Sequence, residues 1–229
     1  ARRLMINVLL FLVFILIPIN LYLIFIYAPP VNWPGDKGLI LGNIQKIFYY
    51  HVSSAWLMML SLFLALIFSI YYLKSKNIKY DLMASVSVKL GLLFGIIALI
   101  MGSIWAKPAW GVFWTWDPRL TTMAITILFY LGLITFRNMI DDDIETRAKI
   151  SSFLAIIGFL NVLLTFLSIR IWRSIHPIVV EGSNEKFKMS PEISFVLIFS
   201  IFTLSLFYML LFYLTYKVDS VELKRKLKA

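Results

Sequence analysis

The sequence predicts an all-α membrane protein, a bundle of six transmembrane helices with a Trp-rich interfacial segment at its outer face. Three observations carry that expectation. Of the 229 residues, 61% are hydrophobic and the mean hydropathy is +0.86, whereas soluble domains are about 45–50% apolar. The apolar residues fall into six runs, each near the roughly twenty residues that a helix needs to cross the hydrocarbon core. The two inner links, Lys74–Asp81 and Arg137–Lys149, are short, so the helices they join are expected to pack as antiparallel neighbours. Residues 1–229 then form a single integral membrane domain with no soluble part.

The spans run Leu4–Tyr27, Ile47–Leu73, Leu82–Ile104, Leu120–Phe136, Ile150–Ile171 and Ile193–Tyr216. The first is too long for a cleavable signal peptide and leads into Ala28-Pro29-Pro30 without a small-residue cleavage site, so it is expected to stay. Six spans put both termini on one side. That side carries thirteen basic residues, among them Arg2, Lys74, Arg137 and Lys224, and the opposite side carries eight. The excess places the termini inside, in the cytoplasm or mitochondrial matrix, for a bacterial plasma membrane or a mitochondrial inner membrane respectively. The net charge of +10 is read as these flanks and not as a nucleic-acid surface. The lack of cysteine excludes disulfides, thiolate metal sites and a CxxC redox motif. Gly91 and Gly95, four apart in the third span, allow a close helix contact. Lys89 and Asn161 are the polar outliers within spans. Lys89, near the inner end of its helix, is read as snorkelling.

Between the third and fourth spans lies Trp110-Gly111-Val112-Phe113-Trp114-Thr115-Trp116-Asp117-Pro118-Arg119-Leu120-Thr121. It gathers three Trp, a Phe, an acid and a base into twelve residues. In this topology all seven Trp (Trp33, Trp56, Trp105, Trp110, Trp114, Trp116 and Trp172) lie in an outer loop or within a turn or two of the outer face. An aromatic belt would place Trp at both interfaces. The inner side has Tyr71, Tyr72, Tyr80, Tyr213 and Tyr216 but no Trp. The asymmetry marks the outer loop as a flat aromatic platform. Pro108 is expected to open a short interfacial helix on which Trp110, Phe113, Trp114 and Asp117 share a face. Asp117, just before Pro118, also fits the N-cap of the fourth span.

The two histidines, His51 and His176, flank this loop at what the topology makes the same depth. Each alone reads as an ordinary interfacial polar residue. Together with a broad aromatic surface they fit a heme. Its iron takes axial ligands from two faces, commonly His, its porphyrin stacks on Trp, and its propionates need cations such as Arg119, Lys107 or Arg173. Zinc fits less well, because it needs three or four ligands.

These residues resemble the tryptophan-rich "WWD" signature of the heme-handling membrane proteins, and most of all the heme exporter protein C family of the multi-subunit cytochrome c maturation system. The resemblance extends over most of the chain: six spans, His51 before Ser53-Ser54-Ala55-Trp56, Trp105-Ala106-Lys107-Pro108 leading into the motif, and His176 after Ile171-Trp172. Two positions depart from the family pattern. Phe113 stands where a second adjacent Trp is common, which keeps the aromatic face and removes an indole N–H. Pro118 stands where a small residue such as Ala is common, which strengthens the capping reading of Asp117.

The resemblance implies a non-enzymatic subunit of c-type cytochrome biogenesis that holds heme b at the outer (periplasmic or intermembrane-space) face. His51 and His176 would be the axial ligands. Trp110, Phe113, Trp114, Trp116 and Asp117 would present the heme, with Arg119 as the cation. The heme would go to a small membrane-anchored heme chaperone and from there to a lyase complex. An ABC-transporter ATPase, its membrane subunit and a small single-span subunit would complete the assembly. The chain has no GxxxxGK[ST] run, so ATP hydrolysis would belong to a partner. Two alternatives stand beside this reading. A heme lyase-like component would attach heme to apocytochrome c, but such relatives are longer, with extra spans and usually extra histidines. A heme or solute transporter should show broken helices and polar groups near the midplane.

Overall fold

The computed structural model describes residues 2–32, 40–140, 143–172 and 190–226. His176, Arg173 and Trp33 lie outside the described residues. Six long helices make the bundle: α1 (Arg2–Tyr22), continued by a π-helical turn over Leu23–Tyr27, α2 (Lys46–Ser75), α3 (Ile78–Trp110), α4 (Pro118–Met139), α5 (Ile144–Ile171) and α6 (Pro191–Lys226). All six are long and apolar enough to cross a membrane, as the hydropathy pattern requires. A two-stranded antiparallel ribbon, β1 (Val31–Asn32) and β2 (Ile40–Gly42), precedes α2.

Most helices outrun their apolar runs. α3 spans Ile78–Trp110 and α6 spans Pro191–Lys226, beyond the expected Leu82–Ile104 and Ile193–Tyr216. Hydropathy marks the stretch that lipid must cover, whereas a helix continues until something caps it. Between α2 and α3 only Lys76 and Asn77 remain. Lys76 is left-handed, with φ 56°, and the Asn77 side chain accepts a hydrogen bond from the Lys79 N–H as the N-cap of α3. Asp81, expected in an inner loop, is therefore helical and buried.

α2 and α3 form the most extensive helix pair. A Cβ at Gly91 would lie 2.6 Å from Leu62 Cδ2, and one at Gly95 would lie 2.9 Å from Met58 Sδ. The two glycines thus serve the close contact that their spacing predicts. Packing and polar contacts, not a hydrophobic force, associate helices in lipid. Ser61 donates to the Ser87 carbonyl at 2.7 Å and sits 2.8 Å from the Tyr208 hydroxyl, which joins α2, α3 and α6. Asn161 of α5 donates to the Thr122 carbonyl and to Thr126 Oγ1 of α4, so this outlier is interhelical glue. α1 lies antiparallel to α6, with Asn20 Nδ2 donating to Ser200 Oγ at 2.8 Å and Tyr27 edge-on to Phe195. The start of α1 and the end of α6 therefore share one end of the bundle.

At that end Asp81 and Arg137 form a bidentate ion pair of 2.6 and 3.0 Å between α3 and α4. Their side chains are 3% and 10% exposed. Lys89 reaches Asp219 of α6 at 2.7 Å, so the snorkelling Lys also has a partner. Both pairs line a cavity of about 310 Å³ on the side opposite the Trp-rich loop. Removing one partner of a buried pair strands a charge, at about 3–5 kcal/mol, while replacing both by apolar residues is near neutral. Arg137→Met should therefore lower the thermal midpoint in detergent steeply, and Asp81→Leu/Arg137→Met should recover most of the loss. A double variant no more stable than the single would refute this account.

Candidate functional site

The C-terminal end of α3 sets the geometry. Pro108 does not open a new helix. It sits in the last turn of α3, which runs on to Trp110 and stops at Gly111. Gly111 takes φ 82°, and its N–H closes on the Lys107 carbonyl at 2.8 Å, a glycine stop in the left-handed region. Pro108 costs the helix one hydrogen bond two residues before it would have ended. Residues 111–117 are irregular, so Trp110, Phe113, Trp114 and Asp117 share no helical face, contrary to the expectation from spacing.

The aromatic surface is faceted, not flat. Trp105 and Trp110 meet edge to face, with centroids 5.5 Å apart and planes at 89°, and Trp114 and Trp116 do the same at 5.7 Å and 88°. Trp116 is 82% and Phe113 57% exposed, while Trp110 and Trp114 are half-buried. Lys107 folds back on the loop. Its Nζ donates to the Gly111 carbonyl at 2.9 Å and lies 5.3 Å over the Phe113 ring, a cation at a helix C-terminus. Trp105 Nε1 donates to Gln45 Oε1 at 3.3 Å and pins α3 to the start of α2.

Asp117 caps α4. It is buried, its Oδ1 accepts from the Arg119 N–H at 2.9 Å, and Pro118 occupies the first helical turn. The Arg119 guanidinium lies in the field of both Asp117 and His51. The Thr115 and Thr121 hydroxyls are buried with no hydrogen-bond partner among the described residues.

His51 sits on α2 with Nδ1 2.8 Å from the Ala98 carbonyl of α3. A carbonyl can only accept, so Nδ1 carries the proton and the neutral ring has its lone pair on Nε2. A backbone carbonyl behind Nδ1 is the usual support of a metal-ligating imidazole. His51 lies six residues past Gln45, about 9 Å further along the helix than the Trp105–Gln45 contact. It is thus inward of the Trp-rich loop and not level with it, because α3 carries that loop beyond its apolar run. Trp56 is deeper still and donates to Ser205 Oγ of α6 at 3.3 Å, which removes it from the outer cluster.

This donor set fits a heme. It offers one imidazole in the tautomer that ligates through Nε2, exposed aromatic rings, a cation and buried hydroxyls suited to carboxylate oxygens. Four residues of the neighbourhood were not singled out from the sequence: Gln45, Ala98, Thr115 and Thr121. A fifth is Gly102, whose Cβ would meet the His51 ring. Its one sequence signal is that it continues the Gly91/Gly95 face at helical spacing.

The fold and site define a six-span helical membrane protein with a Trp-rich loop at one end and an oriented histidine beneath it. The chain belongs to the heme exporter protein C family, whose model matches residues 1–229. A mitochondrial protein of Marchantia polymorpha named for cytochrome c biosynthesis is 31% identical over 171 residues, covering 74% of this chain and 72% of its own length. The heme exporter protein C of Bradyrhizobium diazoefficiens is 33% identical over 135 residues, 59% of this chain and 51% of its own. That of Escherichia coli strain K12 is 32% identical over 139 residues, 59% of this chain and 55% of its own. The matched region thus spans about half the length of these two bacterial relatives.

The capping role of Asp117 separates cleanly from a role for its charge. An N-cap lost to Ala costs about 1 kcal/mol, and Asn caps as well as Asp. Asp117→Ala should lower the stability in detergent by that amount, read as a fall in thermal midpoint, and Asp117→Asn should leave it near wild type. Equal losses in the two variants would rule out the cap.

Proposed function

We propose that this protein is a heme-binding membrane subunit of c-type cytochrome biogenesis, not an enzyme. It holds heme at the outer face and hands it to a small membrane-anchored heme chaperone. The observation that carries this reading is the His51 imidazole, held by the Ala98 carbonyl in the Nε2-ligating tautomer beneath an exposed Trp-rich loop. Membership of the heme exporter protein C family supports it, as do the names of its relatives, which refer to heme export and cytochrome c biosynthesis.

In this reading His51 and His176 would hold the heme iron, and Trp110, Phe113, Trp114 and Trp116 would lie against the macrocycle. Arg119 would pair with the propionates, and the Thr115 and Thr121 hydroxyls would donate hydrogen bonds to them. A charge-assisted pair of this kind strengthens as water is excluded. Asp117 acts indirectly, by capping the turn of α4 that carries Arg119. Bound heme supplies an iron whose properties its axial ligands set. The exposure of Trp116 and Phe113 keeps one edge of the site open, which release to a partner requires; a site that buried the whole disc would retain it. The basic excess orients the Asp81–Arg137 end toward the cytoplasm or matrix and the Trp-rich loop outward. An ABC-transporter ATPase, its membrane subunit and a small single-span subunit complete the assembly.

The test is an absorption spectrum of the detergent-purified chain, oxidised and dithionite-reduced, beside His51→Ala and His176→Ala. The wild type should show low-spin heme, and each variant should lose it or turn high-spin. A wild type that takes up no added hemin, or two variants that match it, would overturn the ligand assignment and leave the loop as a docking surface for a protein.

A further inference from the structure

We infer that Gly102 is a positioning residue for the heme iron: with Ala98 it forms a cradle without side-chain bulk on α3 that fixes the tautomer and the plane of the His51 imidazole. The inference rests on the heme reading above and extends it to a residue that meets no ligand itself.

The α-helical pattern pairs the Gly102 N–H with the Ala98 carbonyl. A carbonyl has two lone pairs, and this one also accepts from His51 Nδ1 at 2.8 Å. Ala98 is fully buried, so water does not compete for that oxygen. The ring reaches it across the Cα of Gly102. A Cβ there would stand 2.8 Å from His51 Cε1 and 2.9 Å from Nδ1.

The other glycines on this face pose a different problem. At Gly91 and Gly95 the added atom would meet Leu62 and Met58, flexible apolar side chains that rotate aside. At Gly102 the group that must give way is the imidazole. Its retreat breaks the bond to Ala98 and turns the ring out of its present plane. Gly102 is not among the positive-φ glycines, so its backbone does not require glycine, and Ala is the better helix former. The contact with His51 is what calls for glycine here.

Gly102→Ala should still fold, its gain in helix propensity offsetting part of the lost His51–Ala98 hydrogen bond. It should bind hemin about 10–100-fold more weakly, as loss of a ligand's supporting partner does, and shift the bound heme toward high spin. Gly132→Ala, where a Cβ meets nothing within 4 Å, should match wild type in both respects. A readout without heme accompanies these. In a His176→Ala background His51 is the single histidine, and ¹⁵N NMR of its ring reports the tautomer directly. The Nδ1–H form should dominate in that background and give way once Gly102→Ala is added to it. Wild-type hemin affinity and spectrum in Gly102→Ala, or ring signals unchanged by it, would overturn the inference. If the parent chain takes up no hemin, the heme reading falls, and the ring signals still decide the cradle.

Discussion

The close approach of α2 to α3 is the constraint on which the Trp-rich end of this protein depends. α3 presents Gly91, Gly95, Ala98 and Gly102 to its neighbour, and α2 answers with Leu62, Met58 and His51. The same contact that packs the pair also gives the imidazole its hydrogen bond and its clearance. Since α3 continues unbroken to Gly111, the register of the two helices sets how far His51 lies beneath the Trp-rich loop. A slip of one helical turn would move the ring by about 5.4 Å. The two-residue link at Lys76 and Asn77 fixes the register at one end, and the Trp105–Gln45 hydrogen bond fixes it at the other.

Several polar side chains inside the bundle join helices. Asn20 with Ser200, Ser61 with Ser87 and Tyr208, and Asn161 with Thr122 and Thr126 each bridge two elements or more. Two ion pairs, Asp81–Arg137 and Lys89–Asp219, lie at the end away from the Trp-rich loop, around a cavity. That distribution separates the two faces. One is closed by compensated charge, and the other carries exposed aromatic rings and an oriented imidazole.

Much of this was legible because lipid imposes long apolar runs that few other folds contain. The six spans, the Gly91/Gly95 contact and the Asp117 cap each follow from a local pattern. The helix ends did not, because hydropathy reports lipid depth and not where a cap falls; hence the added length of α3 and the misplaced level of His51. Pro108 misleads because Gly111, three residues on, and not the proline, ends the helix. Lys107 gave no sign that its ammonium would turn back on Gly111. The partner of Arg137 and the purpose of Gly102 were beyond reach for one reason: each is a contact between residues some fifty positions apart, and no local pattern records such a meeting.

The Trp-rich loop hangs between two finished helix ends, a glycine stop at Gly111 and an aspartate cap at Asp117. A slack loop would have to surrender conformational freedom on contact, about 1–2 kcal/mol for each residue ordered. Here both ends are set by capped helices, and the Lys107–Gly111 hydrogen bond and the Trp114–Trp116 pair hold part of the segment between them, so Trp116 stands exposed on a segment with part of that cost already met. A surface prepared in this way meets less entropic resistance to docking and regains less freedom on release.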